Sequence, residues 1–251
     1  MSARSRAVPN ARRAQPSSRL PSAKVTSYYL DSDGKANTRH GRGTIRTAGP
    51  GRGPPDEFVY DPANPVRSVS SRTAGARGGL PQGSVDNRVL EDGPNIRVYT
   101  SEPLAEVREV TGAVAAKIYF STDVPDTDIT VKLLDVSPDG KALNISEEIA
   151  RARYRRSHSA TEMLESGRIH AIDVELFPTS NFFEVGHRIR VEVSSSDFPN
   201  FGTNLDTGRN NETSTEMRVA HTRVHHSTGS RSSITLPVVP IATPKWAPPL
   251  P

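Results

Sequence analysis

The stretch that most constrains this chain is residues 186–194, Gly-His-Arg-Ile-Arg-Val-Glu-Val-Ser, where polar and apolar side chains alternate without a slip. Successive side chains of a β-strand point to opposite faces, so Ile189, Val191 and Val193 share one side and Arg188, Arg190, Glu192 and Ser194 the other. The pattern predicts a half-buried strand with one face in the core and one in water. Gly186 permits the turn into it. Residues 194–196 and the Phe198-Pro199 pair end the strand, and a loop rich in Asn, Gly, Asp and Thr runs on to residue 208. Phe198 and Phe201 lie in that loop, which favours its packing down onto the protein.

The same texture begins at Asn95. Ile96, Val98 and Thr100 alternate; Val114, Ala116, Ile118 and Phe120 point one way, with Ala115, Lys117 and Tyr119 opposite. Ile129, Val131 and Leu133 repeat the pattern, as do Ile172, Val174 and Leu176, and residues 217–224 and 233–239 complete the set. Between them Ser137-Pro138-Asp139-Gly140 is a turn, Pro setting φ and Gly supplying the positive-φ position. Residues 147–156 are the one stretch read as a short helix. Short strands at regular spacing, with neither a G-x-G-x-x-G loop nor crossover helices, predict an all-β antiparallel β-sandwich over residues 95–240.

Upstream the composition differs. Residues 1–23, rich in Ser, Arg and Pro without an acid, predict a disordered basic arm, because such a segment buries too little apolar surface to offset chain entropy. Residues 24–94 read as an extended linker with short strands at 25–30 and 58–60, and residues 241–251 as a Pro-rich tail. Residues 1–55 hold 11 of the 32 Lys and Arg but two of the 28 acids, a net +9, so the rest of the chain carries −5. A basic arm can attract nucleic acid or an anionic surface. With no helical apolar stripe, a solvated tail is favoured over either. No apolar run approaches the roughly 20 residues of a membrane helix. The absence of Cys fits a reducing cytoplasm and excludes disulfides and thiolate metal sites.

Residues arranged for chemistry are few. The G-x-S-x-G elbow of an α/β-hydrolase is missing; Gly83-Ser84 and Gly229-Ser230 have no closing glycine. Ser194, Ser195, Ser196, Asp197 and His187 supply triad residue types, but a triad is a geometry, and these read as loop-holding side chains. His221 and His225 lie roughly 13 Å apart on a strand, and His225 and His226 point to opposite faces, so neither pair chelates zinc. Asp123, Asp126 and Asp128 around Pro125 suggest calcium only weakly, without EF-hand spacing, and turn formation is favoured. Arg151, Arg153, Arg155 and Arg156 with Tyr154 form a basic patch read as packing or salt bridges. No cofactor, metal or catalytic residue is assigned.

The run at residues 178–208, P-T-S-N-F-F-E-V-G-H-R-I-R-V-E-V-S-S-S-D-F-P-N-F-G-T-N-L-D-T-G, resembles the signature of the C-terminal domain of Xaa-Pro dipeptidyl-peptidase and cocaine-esterase-like (CocE/NonD) hydrolases. The resemblance extends through residues 121–146, 150–155 and 59–66. Thr203 stands where the family has a basic residue, and Asp206 where Asn is usual. The resemblance implies a jelly-roll of galactose-binding-like type that carries no triad. The family's Ser, Asp and His belong to a preceding α/β-hydrolase domain, against which the jelly-roll packs to wall the substrate site. The chain then reads as the C-terminal part of such an enzyme, a truncated family member. Phe182, Phe183, Phe198 and Phe201 become its expected interdomain interface, with the missing catalytic domain or a second copy as partner. The alternative is a stand-alone ligand- or carbohydrate-binding β-sandwich module, for which Phe201 and Trp246 are the stacking candidates.

Overall fold

Hydrophobic alternation translates into eleven strands in the computed structural model, which describes residues 22–49, 51–71 and 79–240. In chain order they are β1 (Lys24–Asp31), β2 (Thr44–Arg46), β3 (Asp56–Tyr60), β4 (Arg97–Thr100), β5 (Arg108–Thr122) and β6 (Asp128–Val136), then β7 (Ala142–Arg151), β8 (His170–Phe183), β9 (Arg188–Ser194), β10 (Ala220–His225) and β11 (Ser233–Val239). The expected basic arm, apart from residues 22–23, and the Pro-rich tail lie outside the described residues.

The strands form one hydrogen-bonded path, β3-β10-β5-β11-β1-β2-β4-β9-β6-β7, with β8 on the other edge of β5. Every pairing is antiparallel except the brief parallel contact of β2 with β4. The path folds over, so that the apolar sides of β5 and β8 meet those of β6 and β9. Val114, Ile118, Phe120 and Val174 from the first layer and Ile129, Val131, Ile189 and Val191 from the second belong to one buried cluster. This is a β-sandwich. β5 is long enough, at 15 residues, to hold β8 on one edge and β11 and β10 in succession on the other. A bulge falls after Gly112, whose φ of +133° favours glycine. The predicted 137–140 turn forms, with the Gly140 amide donating to the Ser137 carbonyl and Gly140 at φ +85°.

Three expectations are corrected. First, the short strands expected within the 24–94 linker segment are part of the sandwich sheet, as β1, β2 and β3. β1 sits inside the sheet between β11 and β2, and Tyr28, Leu30, Phe58 and Tyr60 are buried in the main core. The partner of Tyr28 is Ile234, more than two hundred residues away, so local composition carries no trace of the pairing. Second, residues 147–156 are not a helix. β7 continues to Arg151, paired along its length with β6, and only Ala152–Tyr154 turn, as a single 3-10 turn. Ala, Glu and Arg favour helix locally, but the ladder to a buried strand overrides that preference. Third, the polar side of β9 is not wet. Arg190, Glu192 and Ser194 are all buried, because β9 lies between β4 and β6 and further chain covers its second face.

The placement of β1 generates a test. A chain beginning at residue 95 lacks the strands that complete the β11 edge and cover β10. It is expected to lose cooperative thermal unfolding and near-UV circular dichroism; a sharp transition from that fragment would show that β1 and β3 are dispensable.

Candidate functional site

The polar side of β9 and the loop after it form the most elaborate constellation in the molecule. Lys132 of β6 stands directly opposite Glu192 of β9 on one side and Glu147 of β7 on the other. Its Nζ lies 2.7 Å from Asp197 Oδ1 and 3.4 Å from Glu147 Oε2. Burial works to lower the lysine's pKa, but Asp197, Glu147 and Glu192 together hold it above the ordinary value. Asn200 Nδ2 joins the group, donating to Asp197 Oδ2 at 3.1 Å, Glu147 Oε1 at 3.1 Å and the Ser70 carbonyl at 2.9 Å. Further along, Arg190 pairs with Glu91 at 2.5 Å and donates to Thr100 Oγ1 at 2.9 Å. Glu192 is buried between Lys132 and Glu91, and burial pushes its pKa up.

The loop that follows clamps a distant segment. Ser196 Oγ accepts the Val66 amide, the Phe198 amide donates to the Val66 carbonyl, and the Ser68 amide donates to the Phe198 carbonyl. The Arg67 guanidinium lies 5.0 Å from the centre of the Phe198 ring. His187 is at the far end of β9, bonded through Nδ1 to Asp135 at 2.8 Å. The length of β9 separates it from Ser195, roughly 26 Å at about 3.3 Å per residue, so these residues make no triad.

A second Ser, Asp and His grouping was not legible from the chain. Ser32, Asp56 and His226 converge at the β1 turn: Ser32 Oγ donates to Asp56 at 2.7 Å and His226 Nε2 lies 3.1 Å from Asp56 and 3.4 Å from Ser32. Tyr99 Oη and the Ala36 amide also donate to Asp56, each at 2.9 Å. Burial raises the Asp56 pKa, but the bonds from His226, Ala36, Ser32 and Tyr99 outweigh it and hold the group below the ordinary value. A nucleophilic triad needs the imidazole between serine and carboxylate, one nitrogen facing each. Here one nitrogen faces both and the serine donates to the acid, so the group anchors a turn.

The other candidates resolve into ion pairs. Arg153 binds Asp126 at 2.7 Å, Arg151 binds Asp128 at 3.0 Å, and Arg155 and Arg156 both reach Glu162. Asn204 Nδ2 bridges Asp126 and Asp128 at 2.7 and 2.9 Å. Asp123 accepts the His221 amide, and His225 bonds Ser121. Among the described residues no three His, Asp or Glu side chains are placed to share a metal ion. Asp206 is buried beside Asp126 and Asp128 without an ion-pair partner, in the left-handed region at φ +59°. Burial first, then the Asp128 and Asp126 charges, push its pKa up to about 9.

The four phenylalanines expected at the interdomain interface divide between the two ends of β9. Phe182 is 54% exposed at the end of β8, whereas Phe183 is fully buried in the core, which removes it from any contact surface. Alternation along a strand makes adjacent residues face opposite ways. Phe198 and Phe201 are half-buried at the other end of β9. The described residues also enclose a cleft of about 600 Å³ among β3, β10 and the end of β5, floored by Phe58 and Arg97.

Two substitutions test this reading. Asp206 is held protonated near neutrality in the folded chain and ionised in the unfolded one. Its folded pKa is raised, so its contribution to stability is greatest at low pH and is lost between about pH 4 and 9. Asp206→Asn, which tolerates the same φ, is expected to stabilise by on the order of 2 kcal/mol at pH 7, with the gain over wild type growing from pH 5 to pH 8 in urea titrations. A gain independent of pH would refute the protonated acid. Asp197→Ala strands the Lys132 ammonium and is expected to cost about 3–5 kcal/mol in the same measurement; a loss below about 1 kcal/mol would place that ammonium in water.

Comparison with known proteins agrees with this geometry. Residues 3–235 match the X-Pro dipeptidyl-peptidase C-terminal non-catalytic domain. The chain is 38% identical over 222 residues to cocaine esterase of Rhodococcus sp. (strain MB1 Bresler), covering 88% of this chain and 38% of that one. It is 29% identical over 200 residues to a putative serine esterase of Mycobacterium bovis (strain ATCC BAA-935 / AF2122/97), covering 72% of this chain and 30% of the relative. Among solved structures, an aminopeptidase from the marine sediment archaeon Thaumarchaeota archaeon superposes with a TM-score of 0.76 at 27% identity, over 86% of this chain and 37% of the other. An α-amino acid ester hydrolase superposes with a TM-score of 0.73 at 29% identity, over 85% and 36%. The chain thus spans less than two fifths of the length of these relatives, and it belongs to the X-Pro dipeptidyl-peptidase C-terminal domain family, the non-catalytic jelly-roll of CocE/NonD-type hydrolases.

Proposed function

We propose that this jelly-roll packs against an α/β-hydrolase catalytic domain and helps to wall its substrate cleft, contributing no nucleophile of its own. The observation that carries this reading is the match to a non-catalytic domain occupying only 38% of an esterase's length. The Asp56 and Asp197 groups support it, since there the serine, histidine and acids hold turns and strands together. The substrate would be an ester or an Xaa-Pro peptide, the chemistry that the names of the family and its relatives indicate. Because the chain has no Cys and the described residues include no helix long and apolar enough to cross a membrane, we place its work in the cytoplasm.

For the contact surface we take the end of the sandwich where β8 finishes and β5 begins. Phe182, Val107 and Val185 are exposed there, and Glu109 is paired with Phe182. Inter-domain interfaces cover roughly 600–1,500 Å² and need such apolar anchors. We propose that the same surface carries self-association when no hydrolase domain is present.

The chain is expected to co-purify with the separately expressed α/β-hydrolase domain of a relative and to show no turnover of p-nitrophenyl esters or Xaa-Pro anilides alone. Phe182→Ser should weaken the association about tenfold while leaving Tm unchanged, and Phe183→Ser should unfold the domain. Retention of full affinity by Phe182→Ser would move the contact elsewhere. Turnover by the isolated chain that disappears in Ser195→Ala would defeat the non-catalytic reading altogether.

A further inference from the structure

The cleft among β3, β10 and the end of β5 is lined by a buried guanidinium that no carboxylate of the described residues pairs with directly, Asp56 acting on it only through its charge at longer range. Arg97 is 4% exposed. Its Nη2 donates to the Pro94 carbonyl at 2.6 Å, but Nε and Nη1 have no hydrogen-bond partner. The guanidinium carbon lies 5.8 Å from the centre of the Phe58 ring, on the floor of the cleft. Every other strongly buried cation named above meets a carboxylate: Lys132 meets Asp197, Arg190 meets Glu91 and Arg153 meets Asp126. Around Arg97 the acids are already engaged, since Glu57 is paired with Arg223 at 2.6 Å and Asp123 accepts the His221 amide. Asp56, on the interior side, carries its own four donors.

A buried guanidinium with two idle nitrogens is costly, because water has been removed and nothing has replaced it. A planar fork of N–H donors matches a carboxylate in particular. We propose that this cleft is a carboxylate-binding site in which Arg97 is the counter-charge, Phe58 provides an apolar wall and the His221 side chain lines the mouth. The carboxylate has two sources, a small free acid or an Asp or Glu side chain presented by the catalytic domain. A volume of about 600 Å³ admits either. The site is separate from the Phe182 end of the sandwich and does not depend on it.

The test begins with the isolated chain. Sodium formate and sodium acetate at tens of millimolar are expected to raise Tm by roughly 2–4 °C over sodium chloride at equal ionic strength, as a ligand bound only by the folded state must. Arg97→Leu is expected to abolish that difference and, by removing an unpaired buried charge, to raise Tm without any anion. Arg97→Lys keeps the charge without the fork and should retain only part of the response. If the free acids have no effect but Arg97→Leu weakens association with the hydrolase domain at least tenfold while Phe182→Ser does so independently, the carboxylate comes from that domain. If the anions act equally on wild type and Arg97→Leu, or if neither anion response nor association changes, Arg97 is not a carboxylate site and the inference fails. These readings use anion dependence and the Arg97 variants, so loss of the hydrolase-packing function alone leaves the first of them standing.

Discussion

Lys132 sits in the middle of β6 with its ammonium enclosed between Asp197 and Glu147, and this contact ties three separated parts of the chain together. Removing a lysine from water costs several kcal/mol unless charges and hydrogen bonds replace its hydration. Here the replacement comes from β7, from the loop after β9 and, through Asn200, from the segment around Ser70. The cross-strand row Glu147, Lys132, Glu192 makes the pairing of β7, β6 and β9 unambiguous. A slip of one residue would turn Lys132 into the apolar core and an apolar neighbour toward Asp197. The pair's value therefore lies in specifying register at least as much as in net stability.

That role explains why the signature run has its particular shape. Ile189, Val191 and Val193 secure the core side of β9, as alternation demands. Arg190, through Glu91, and Ser196, through the Val66 amide, secure the other side to covering segments that have few apolar residues of their own. A covering loop made of Ser, Asn and Asp cannot be held by hydrophobic burial, so directed hydrogen bonds hold it, and each needs a partner at a defined distance. The Phe198 ring against Arg67 is the apolar part of this clamp.

Much of the fold was legible because β-sandwich strands announce themselves by period two. β5, β6, β9 and β11 follow directly from alternation, and the 137–140 turn from its Pro-Asp-Gly chemistry. What was not legible depends on partners far away in sequence. β1 looks like a strand fragment beside a Gly- and Arg-rich linker until β11 pairs with it, and β7 looks helical until β6 does. The burial of both faces of β9 has the same origin. Alternation reports that two faces differ in polarity, but a polar face buried under a hydrogen-bonded loop has the same pattern as one in water. The Ser32, Asp56 and His226 group was invisible for a further reason. Its members come from three segments spread over nearly two hundred residues, and none carries a local motif. Of the four candidate phenylalanines, residue type identified the group, but only the direction of each side chain separated exposed Phe182 from buried Phe183.

The interior resolves buried charge in three ways, and the differences are informative. Lys132, Arg190 and Arg153 are resolved by a carboxylate built into the fold. Asp206 is resolved by a proton, since neighbouring Asp126 and Asp128 have already taken the local arginines as ion-pair partners and burial outweighs what Thr127 and Arg151 contribute. An arginine has no such recourse, because its proton is held too tightly to be given up at any physiological pH. Arg97, bonded through Nη2 to the Pro94 carbonyl, is thus left with Nε and Nη1 that neither the sheet nor a proton shift satisfies, in the lining of a cleft. Where a carboxylate without a partner can become neutral and remain a structural element, a guanidinium without a partner can only be completed from outside the domain, and that asymmetry is what makes Arg97 a binding residue and Asp206 a packing one.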